Sequence, residues 1–516
     1  MSASRQDHDD SPAAAGYVGH WIDGQLRDDH LRVLPVHDPG RGVVVREVAI
    51  AGAELADHAV AAAVEAAVTW GATPVASRTR LLRHWRDLIA DSQVELVHIM
   101  GEEQGKVRAD AEGEVMRGLE TIDFACAATQ QLKGEMSDNI ATGIDAFSVR
   151  APLGVCAVIT PFNFPFMAPA YLSSMAMASG NAVVLKPSER VPSASLVLAR
   201  LAAEAGIPAG VLNVVQGDRV LVDALLDHSG IAAVSFIGST PVARHVYSRA
   251  ADAGKRVQAF GGAKNHMVVM PDADLEFAAD AACSAAYGST GQRCMAISVV
   301  VAVGNSGDKL VDAIAQRAVA LRVGPATDQD AEMGPLISAA SKARVSTAIE
   351  TAKSEGARLV LDGRSHELAE TSAGYYVGPT LVDHVTTGMH VYQEEVFGPV
   401  LSVLRVETLD EALNIIDANR FGNGASIFTT SGRSARTFQG RASAGMIGVN
   451  VPIPIPNAVY SFGGWKDSRF GDQHMAGTEG FRFYTKQKVV TSRWPDAPSD
   501  GVDLAFPTSR PAQDGQ

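Results

Sequence analysis

The sequence predicts an α/β chain of two helix-covered parallel sheets in series, with a small β arm. Three observations predict it. From about residue 150, short and almost wholly apolar runs alternate with helical stretches, the signature of strands buried on both faces. A second block of the same alternation begins near "KNHMVVMPDAD" and runs to about "GMIGVNVP". Two further segments, "QQLKGEMSDNIATGIDAFSVR" and "FRFYTKQKVVTSRW", fit neither block. Their alternating character marks extra strands, which pair with each other or with another subunit.

In chain order, "GYVGHWIDGQL" and "GVVVREVAIA" read as short strands. Helical stretches follow, from "AELADHAVAAAVEAAVTWG" to "EGEVMRGLETIDFACAATQQL". In the last of these Val115, Leu119, Ile122 and Cys126 share one helix face. "GVCAVITPF", "NAVVLKPSE", "VLNVVQG" and "IAAVSFIGS" are then strands, separated by the helices "SASLVLARLAAEAG" and "LVDALLDHSG" and followed by "VARHVYSRAADAG". The chain divides into a first unit over 16–130 and 152–263, a second over 264–462, and an arm from 131–151 and 480–497. Tails over 1–15 and 498–516 are expected to be disordered.

The chain of 516 residues is 46% hydrophobic and 20% charged, which supports a large core and excludes global disorder. A net charge of -14 without a long Lys/Arg run argues against polyanion binding. The four cysteines form no CxxC pair and have no histidine cluster at zinc spacing, so neither a structural metal nor a disulfide framework is expected. Their sparse use fits a reducing compartment. The polar start "MSASRQDHDDSPAAAG" lacks an apolar signal region, and no 18-residue apolar run exists, so a soluble cytoplasmic protein is expected.

Ligands of parallel sheets bind at the carboxyl ends of the strands, which singles out Asn163, Lys186, Glu189 and Ser239. In "SFIGSTPVARHV", Ser239 or Thr240 caps a helix whose first turn holds Pro241, and such a helix start can hold a pyrophosphate or be an ordinary turn. No GxGxxG is present. Glu189 of "LKPSER" can accept from both hydroxyls of an adenosine ribose and repel a 2′-phosphate, favouring NAD over NADP; the same residues also suit a solvated turn. Asn163 in "ITPFNFPF" can donate to an oxyanion or simply form the turn. Cys294 in "STGQRCMAIS" needs activation from a free-thiol pKa of about 8.5, for which the neighbouring Arg293 or a cationic nicotinamide ring is a source. Glu395 in "YQEEVFGPV" can hold a second ribose or lie in a surface acidic pair, and Arg117 falls off the apolar stripe of its helix.

Together "ITPFNFP", "LKPSE", "FIGST", "GQRC", "EEVFGPV" and "FGNGASIFT" resemble the aldehyde dehydrogenase superfamily, in family order, from about residue 17 to 494. "DAEGEVMRGLE", "RAPLGVCAVITPFNFPFMAP", "KPSERVPSAS", "GQRCMAIS" and "VNVPIPIP" look like its CoA-acylating methylmalonate-semialdehyde dehydrogenases. The resemblance implies an NAD-binding first unit, a catalytic second unit and an oligomerisation arm, giving a dimer or tetramer. It implies Cys294 as nucleophile, with Asn163 and the Cys294 N–H as the oxyanion hole. It implies cofactor contacts at Thr160, Phe162, Lys186, Glu189, Gly238, Ser239, Glu395 and Phe397, and a substrate carboxylate held by Arg117 and Arg293.

Two positions depart from the family pattern. Phe260 stands where hydrolytic members carry a water-activating Glu and acylating ones usually an Asn. Ala243 stands where a glycine often follows the pyrophosphate turn. The expected reaction is therefore NAD-dependent oxidation of malonate or methylmalonate semialdehyde, with acyl transfer to CoA and loss of CO₂. The alternatives are a hydrolytic semialdehyde dehydrogenase, a non-redox cysteine acyltransferase or hydrolase, and a silent NAD-binding scaffold.

Overall fold

The structure, a computed structural model, describes residues 16–28, 32–455 and 458–494. The expected tails and the last residues of the expected arm lie outside them. The first sheet has eight strands in the order Arg469–Phe470, Arg256–Phe260, Ile231–Ile237, Val155–Ile159, Ala182–Lys186, Leu212–Val214, His20–Ile22 and Gln25–Arg27. The five inner strands are parallel, and the short outer ones join antiparallel. The chain winds outward from Val155–Ile159, then jumps back to Ile231–Ile237 on its other side. The crevice at that reversal is flanked by Thr160 and Gly238–Ser239.

The apolar runs are buried on both faces, as their composition requires. Val155, Ala157 and Ile159 point into one core cluster, with the helices Ala53–Ala72, Arg219–Asp227 and Thr240–Asp252. Cys156 and Val158 point into the other, against the helices Val75–Asp91, Arg108–Ala125 and Ser193–Glu204. The period of two in a strand produces this division. Val115, Ile122 and Cys126 of the expected stripe are buried, and so is the charged Glu114 of the same helix.

A second sheet of seven strands runs Arg358–Leu361, Thr380–Asp383, Val400–Val406, Ile297–Val303, Asn265–Val269, Gly424–Phe428 and Met446–Val449. All pairs are parallel except the one at the Arg358–Leu361 edge. The chain passes from the carboxyl end of Arg256–Phe260 to the amino end of Asn265–Val269 through Gly261, Gly262, Ala263 and Lys264 alone. One sheet's carboxyl edge is thereby set against the other's amino edge.

The two leftover segments pair with each other. Thr485–Arg493 runs antiparallel to Ile144–Pro152, from Thr485 opposite Pro152 to Arg493 opposite Ile144, and Met136–Ala141 completes the sheet. Residues 463–479, assigned to neither unit by the sequence pattern, include the edge strand of the first sheet. Tyr484 then anchors the chain end: its hydroxyl lies 2.7 Å from Ser235 Oγ, and its carbonyl accepts from Asn181 Nδ2 at 2.9 Å. Among the described residues no single helix is long and apolar enough to cross a membrane.

Glu103 ties three elements together. It lies buried at the end of the helix Gln93–Gln104 and accepts from Ser193 Oγ at 2.5 Å and Ser193 N at 3.2 Å, at the start of the next layer's helix. Arg46 of the strand Val43–Ala49 approaches to 3.3 Å. Burial raises its carboxyl to about 7, with Ser193 and Arg46 pulling the other way. The fold therefore retains a proton that an unfolded carboxyl releases near its ordinary 4.5. That contribution is fully present below pH 4.5 and is lost as pH rises through about 7. Glu103→Gln, which cannot ionise, should gain on the wild type by roughly 2–3 kcal/mol between pH 4.5 and 8. Denaturant melts at the two pH values measure this, and an unchanged gap would contradict it.

Candidate active site

The site lies where the first sheet's carboxyl edge faces the second sheet's amino edge. Beyond Val155–Ile159 the rigid turn containing Pro161 and Pro165 presents Asn163, buried, with Nδ2 donating to the Gln292 carbonyl at 2.8 Å. The turn is clamped by two buried charges. Lys106 Nζ donates to Asn163 O at 2.9 Å, pairs with Glu114 and lies 4.6 Å from the centre of the Phe164 ring. The other Glu114 oxygen accepts from Phe166 N and Met167 N, both at 2.9 Å, at the start of the helix Met167–Ala178.

Cys294 lies in a strained loop. Ser289 and Thr290 have φ of 51° and 58°, a left-handed conformation uncommon outside glycine. Ser289 N donates to Asp110 Oδ2 at 2.8 Å and Thr290 Oγ1 to Gly334 O at 2.9 Å, which holds the strain in place. At Gly291 any Cβ would stand 2.2 Å from the Gly398 carbonyl, so the loop is pressed against the "EEVFGP" segment. The Cys294 carbonyl accepts from Asn265 Nδ2 at 2.9 Å and Asn423 Nδ2 at 3.1 Å, which fixes the peptide that follows it.

The thiol is not activated at rest. Burial and then the Glu395 charge push it up to about 12, against hydrogen bonds from the Cys294 and Met295 N–H groups and the weaker pull of Arg293. The expectation that Arg293 lowers the thiol thus gives the right sign and too small a size. Arg293 pairs at 2.5 Å with Asp110. Burial also raises Cys126 to about 11 and Cys283 to about 12, so what sets Cys294 apart is its loop and neighbours.

Glu395 is half-buried against the crossing between the sheets. Its Oε1 accepts from Ala263 N at 2.9 Å, and a Cβ on Gly262 would stand 2.3 Å from its Oε2. Burial raises this carboxyl to about 7 against the pull of Ala263 N–H and Lys264. Lys264 Nζ donates to Val391 O at 2.6 Å and Glu394 O at 2.8 Å, while burial lowers it to about 8. Phe397, with φ of 53°, meets Phe162 edge-on at 5.9 Å, so the Asn163 turn and the Glu395 loop touch. Phe260 is packed in the first sheet's core and offers no proton acceptor. Ala243 fills the opposite core, and its N–H donates to the Ser239 carbonyl at 2.8 Å.

The remaining expected residues line the reversal crevice. Thr160 Oγ1 is buried and has no hydrogen-bond partner among the described residues. Lys186 Nζ lies 3.1 Å from Glu189 Oε2; burial raises the Glu189 carboxyl, but Lys186 and hydrogen bonds outweigh it and hold it below its ordinary value. Ser239 occupies the cap position of the helix Thr240–Asp252, its carbonyl accepting from Ala243 N at 2.8 Å while its hydroxyl makes no capping bond, and Thr240 Oγ1 accepts from Gly262 N at 2.8 Å. The expected capping role thus falls to neither hydroxyl, and Ser239 is left exposed beside Gly238.

Arg117 is exposed and pairs with Glu120 at 2.8 Å. It lies two turns from Asp110, the partner of Arg293, on the same face of the helix. Sequence reasoning missed Lys106, Asp110, Glu114, Lys264, Asn265 and Asn423. Lys264 and Asn265 lie inside "KNHMVVMPDAD", Asn423 inside "FGNGASIFT", and Asp110 and Glu114 inside "DAEGEVMRGLE". Glu114 is given away only by standing beside Val115 on the buried side of its helix.

Comparisons with known proteins agree with one another. The aldehyde dehydrogenase family model matches residues 26–490. The chain is 46% identical over 495 residues to malonate-semialdehyde dehydrogenase of Pseudomonas aeruginosa, covering 96% of this chain and 100% of the other. It is 45% identical over 476 residues to malonate-semialdehyde dehydrogenase of Halalkalibacterium halodurans, covering 92% and 97%. The crystal structure of methylmalonate-semialdehyde dehydrogenase from Oceanimonas doudoroffii matches with a TM-score of 0.92 at 47% identity, over 93% of this chain and 99% of that one. A Sinorhizobium meliloti 1021 structure complexed with NAD matches at 0.93 and 46%, over 94% and 99%.

The thiol's surroundings predict its reactivity in the free enzyme. Glu395→Gln removes the charge that raises Cys294, so alkylation by iodoacetamide at pH 8 should speed up about 3- to 10-fold, and Arg293→Ala should slow it. Peptide mass spectrometry of Cys294 labelling reads both. Equal rates in all three proteins would contradict this account of the thiol.

Proposed function

As the chain belongs to the aldehyde dehydrogenase family, we propose that it oxidises malonate or methylmalonate semialdehyde with NAD through a Cys294 thioester and passes the acyl group to CoA. The observation that carries the acyl-transfer part is Phe260, sealed in the core where a water-activating carboxylate would stand.

The residues fit NAD. The unpartnered Thr160 hydroxyl, Ser239 and the open start of the helix Thr240–Asp252 suit the cofactor's polar backbone. Lys186 with Glu189 suits the adenosine ribose, and Glu395 the nicotinamide ribose. Bound NAD supplies the hydride acceptor that converts the Cys294 adduct to a thioester.

Cys294 Sγ forms the bond to the aldehyde carbon once its proton has left. Asn163 Nδ2, now on the Gln292 carbonyl, and the Cys294 N–H hold the oxyanion; loss of one such donor costs ~10²–10³ in rate. Arg293 and Arg117 hold the substrate carboxylate, whose two oxygens match the guanidinium fork. Release follows by thiol exchange: the CoA sulfur attacks the acyl carbon, the bond to Sγ breaks, and the thiol proton ends on Cys294. A thiol needs less help from a base than water does. Loss of CO₂ leaves its bond electrons on the α-carbon, which takes a proton, giving acetyl-CoA or propionyl-CoA. In this reading 16–130 with 152–263 hold NAD, 264–462 carry the chemistry, and the arm from 131–151 and 480–497 joins subunits of a cytoplasmic dimer or tetramer. Exposed Met136, Ile140 and Val489 on the arm support the last point.

Rapid mixing with NAD and methylmalonate semialdehyde tests the reading. It expects one NADH per site in a burst, then slow turnover that CoA accelerates. Fast steady turnover without CoA would replace it with the hydrolytic reading. Arg117→Ala should raise KM for the acid semialdehyde by about tenfold or more and much less for an aliphatic aldehyde. Equal losses would remove Arg117 from the substrate site.

A further inference from the structure

We propose that Asp110 and Gly288 are positioning residues that set the preference for an acid semialdehyde: they seat the Arg293 guanidinium for the substrate's carboxylate and hold it off the Cys294 sulfur. This rests on the reading of Arg293 as a carboxylate holder and adds what aims it. An arginine beside a nucleophilic cysteine can serve either of two negative groups, the thiolate or the far end of the substrate. Its long side chain has many rotamers and commits to one use only where outside contacts hold it.

Arg293 Nη2 donates to Asp110 Oδ1 at 2.5 Å. The other Asp110 oxygen accepts from Ser289 N at 2.8 Å. The carboxylate thus spans the cysteine loop from Ser289 to Arg293, and the loop backbone fixes one end of it. Gly288, just past the helix Leu275–Tyr287, forms the wall behind. A Cβ there would stand 2.8 Å from Arg293 Nη1, 3.1 Å from Cζ and 3.2 Å from Nη2, so the guanidinium rests where a methyl group would be. With a φ of -54° the Gly288 backbone is ordinary, and room for the guanidinium is what glycine supplies here.

The seating leaves Arg293 available to a ligand. Asp110 takes one N–H of the guanidinium, and the rest make no hydrogen bond among the described residues. A carboxylate needs two of them for a bidentate pair, and the side chain is only part-buried, so such a group can reach it. The thiol gains little from the same charge: Arg293 comes behind burial, the Glu395 charge and two N–H groups among the influences on Cys294. Arg117 stands two turns along the helix that bears Asp110, so the helix carrying the second proposed carboxylate arginine also aims the first.

The test compares methylmalonate semialdehyde with propionaldehyde, the same aldehyde without its carboxylate, and follows alkylation of Cys294 by neutral iodoacetamide. Asp110→Asn keeps an acceptor for Ser289 N and removes the charge that holds Arg293. Gly288→Ala keeps Asp110 and displaces the guanidinium with a Cβ. Each should lower the kcat/KM preference for the acid about 3- to 10-fold, through KM rather than kcat. Asp110→Asn should also speed alkylation about twofold or more, because the freed cation can approach the sulfur. In an Arg293→Ala background, Asp110→Asn should change neither quantity. An unchanged preference in Asp110→Asn or in Gly288→Ala overturns the role of that residue. Alkylation that fails to rise in Asp110→Asn, or an undiminished effect without Arg293, also overturns the proposal, by showing damage to the cysteine loop at large. These outcomes leave the carboxylate reading of Arg293 standing so long as Arg293→Ala itself lowers the preference. If it does not, that reading falls and the proposal falls with it.

Discussion

Everything at the site hangs from a lysine and a glutamate that never meet solvent. Removing two charges from water costs several kcal/mol each, and only complete pairing offsets it. Lys106 and Glu114 are completely paired: one nitrogen reaches the carboxylate, a carbonyl and a ring face, and the carboxylate also receives two backbone N–H groups. Deleting either partner would strand the other, at ~3–5 kcal/mol. What this arrangement secures is position. It fixes the turn bearing Asn163, which reaches across to Gln292 in the cysteine loop. One turn earlier on the same helix Asp110 grips that loop directly, through Ser289 and Arg293. A single helix face thus sets the distance between the amide and the thiol.

Around that frame the ionisable groups share a tendency. The thiol is held near 12, Glu395 near 7 and Lys264 near 8, each moved by burial toward its neutral form. The resting site suppresses charge rather than storing it. Its state therefore depends on what charge arrives, and a cationic ligand next to the sulfur would act in the same direction as Arg293 and with less water between. Strain is concentrated in the same place: Ser289, Thr290 and Phe397 all adopt left-handed backbone and all belong to the two loops that touch at Gly291 and Gly398.

The sheets were readable because burial on both faces leaves a continuous apolar run with no other explanation, as at Val155–Ile159 and Ile231–Ile237. The arm strands were readable from their alternation, although only the three-dimensional fold shows that they pair with each other. The residues following the strands were found by position alone, since the carboxyl edge of a parallel sheet is where ligands go. Lys106 and Glu114 were invisible for the opposite reason. A charged residue in a helix or a short loop reads as solvent-facing, and only the pairing of these two under the distant Asn163 turn makes them buried ones. Arg293 shows the limit of adjacency: a neighbouring cation in sequence is worth little to the thiol when its guanidinium is turned to Asp110.

The anchoring of Tyr484 bears on how the protein is made. Its hydroxyl meets Ser235, 249 residues earlier, and its carbonyl meets Asn181, 303 residues earlier. The edge strand Arg469–Phe470 and the buried Phe481 and Phe483 come from the same late stretch. A ribosome working from the amino end releases the first sheet long before these pieces exist. For that interval the sheet has an open edge and an uncovered apolar patch, the two features that invite aggregation. Completion of the first sheet thus waits for residues 469–484, more than 200 residues after its parallel strands are made.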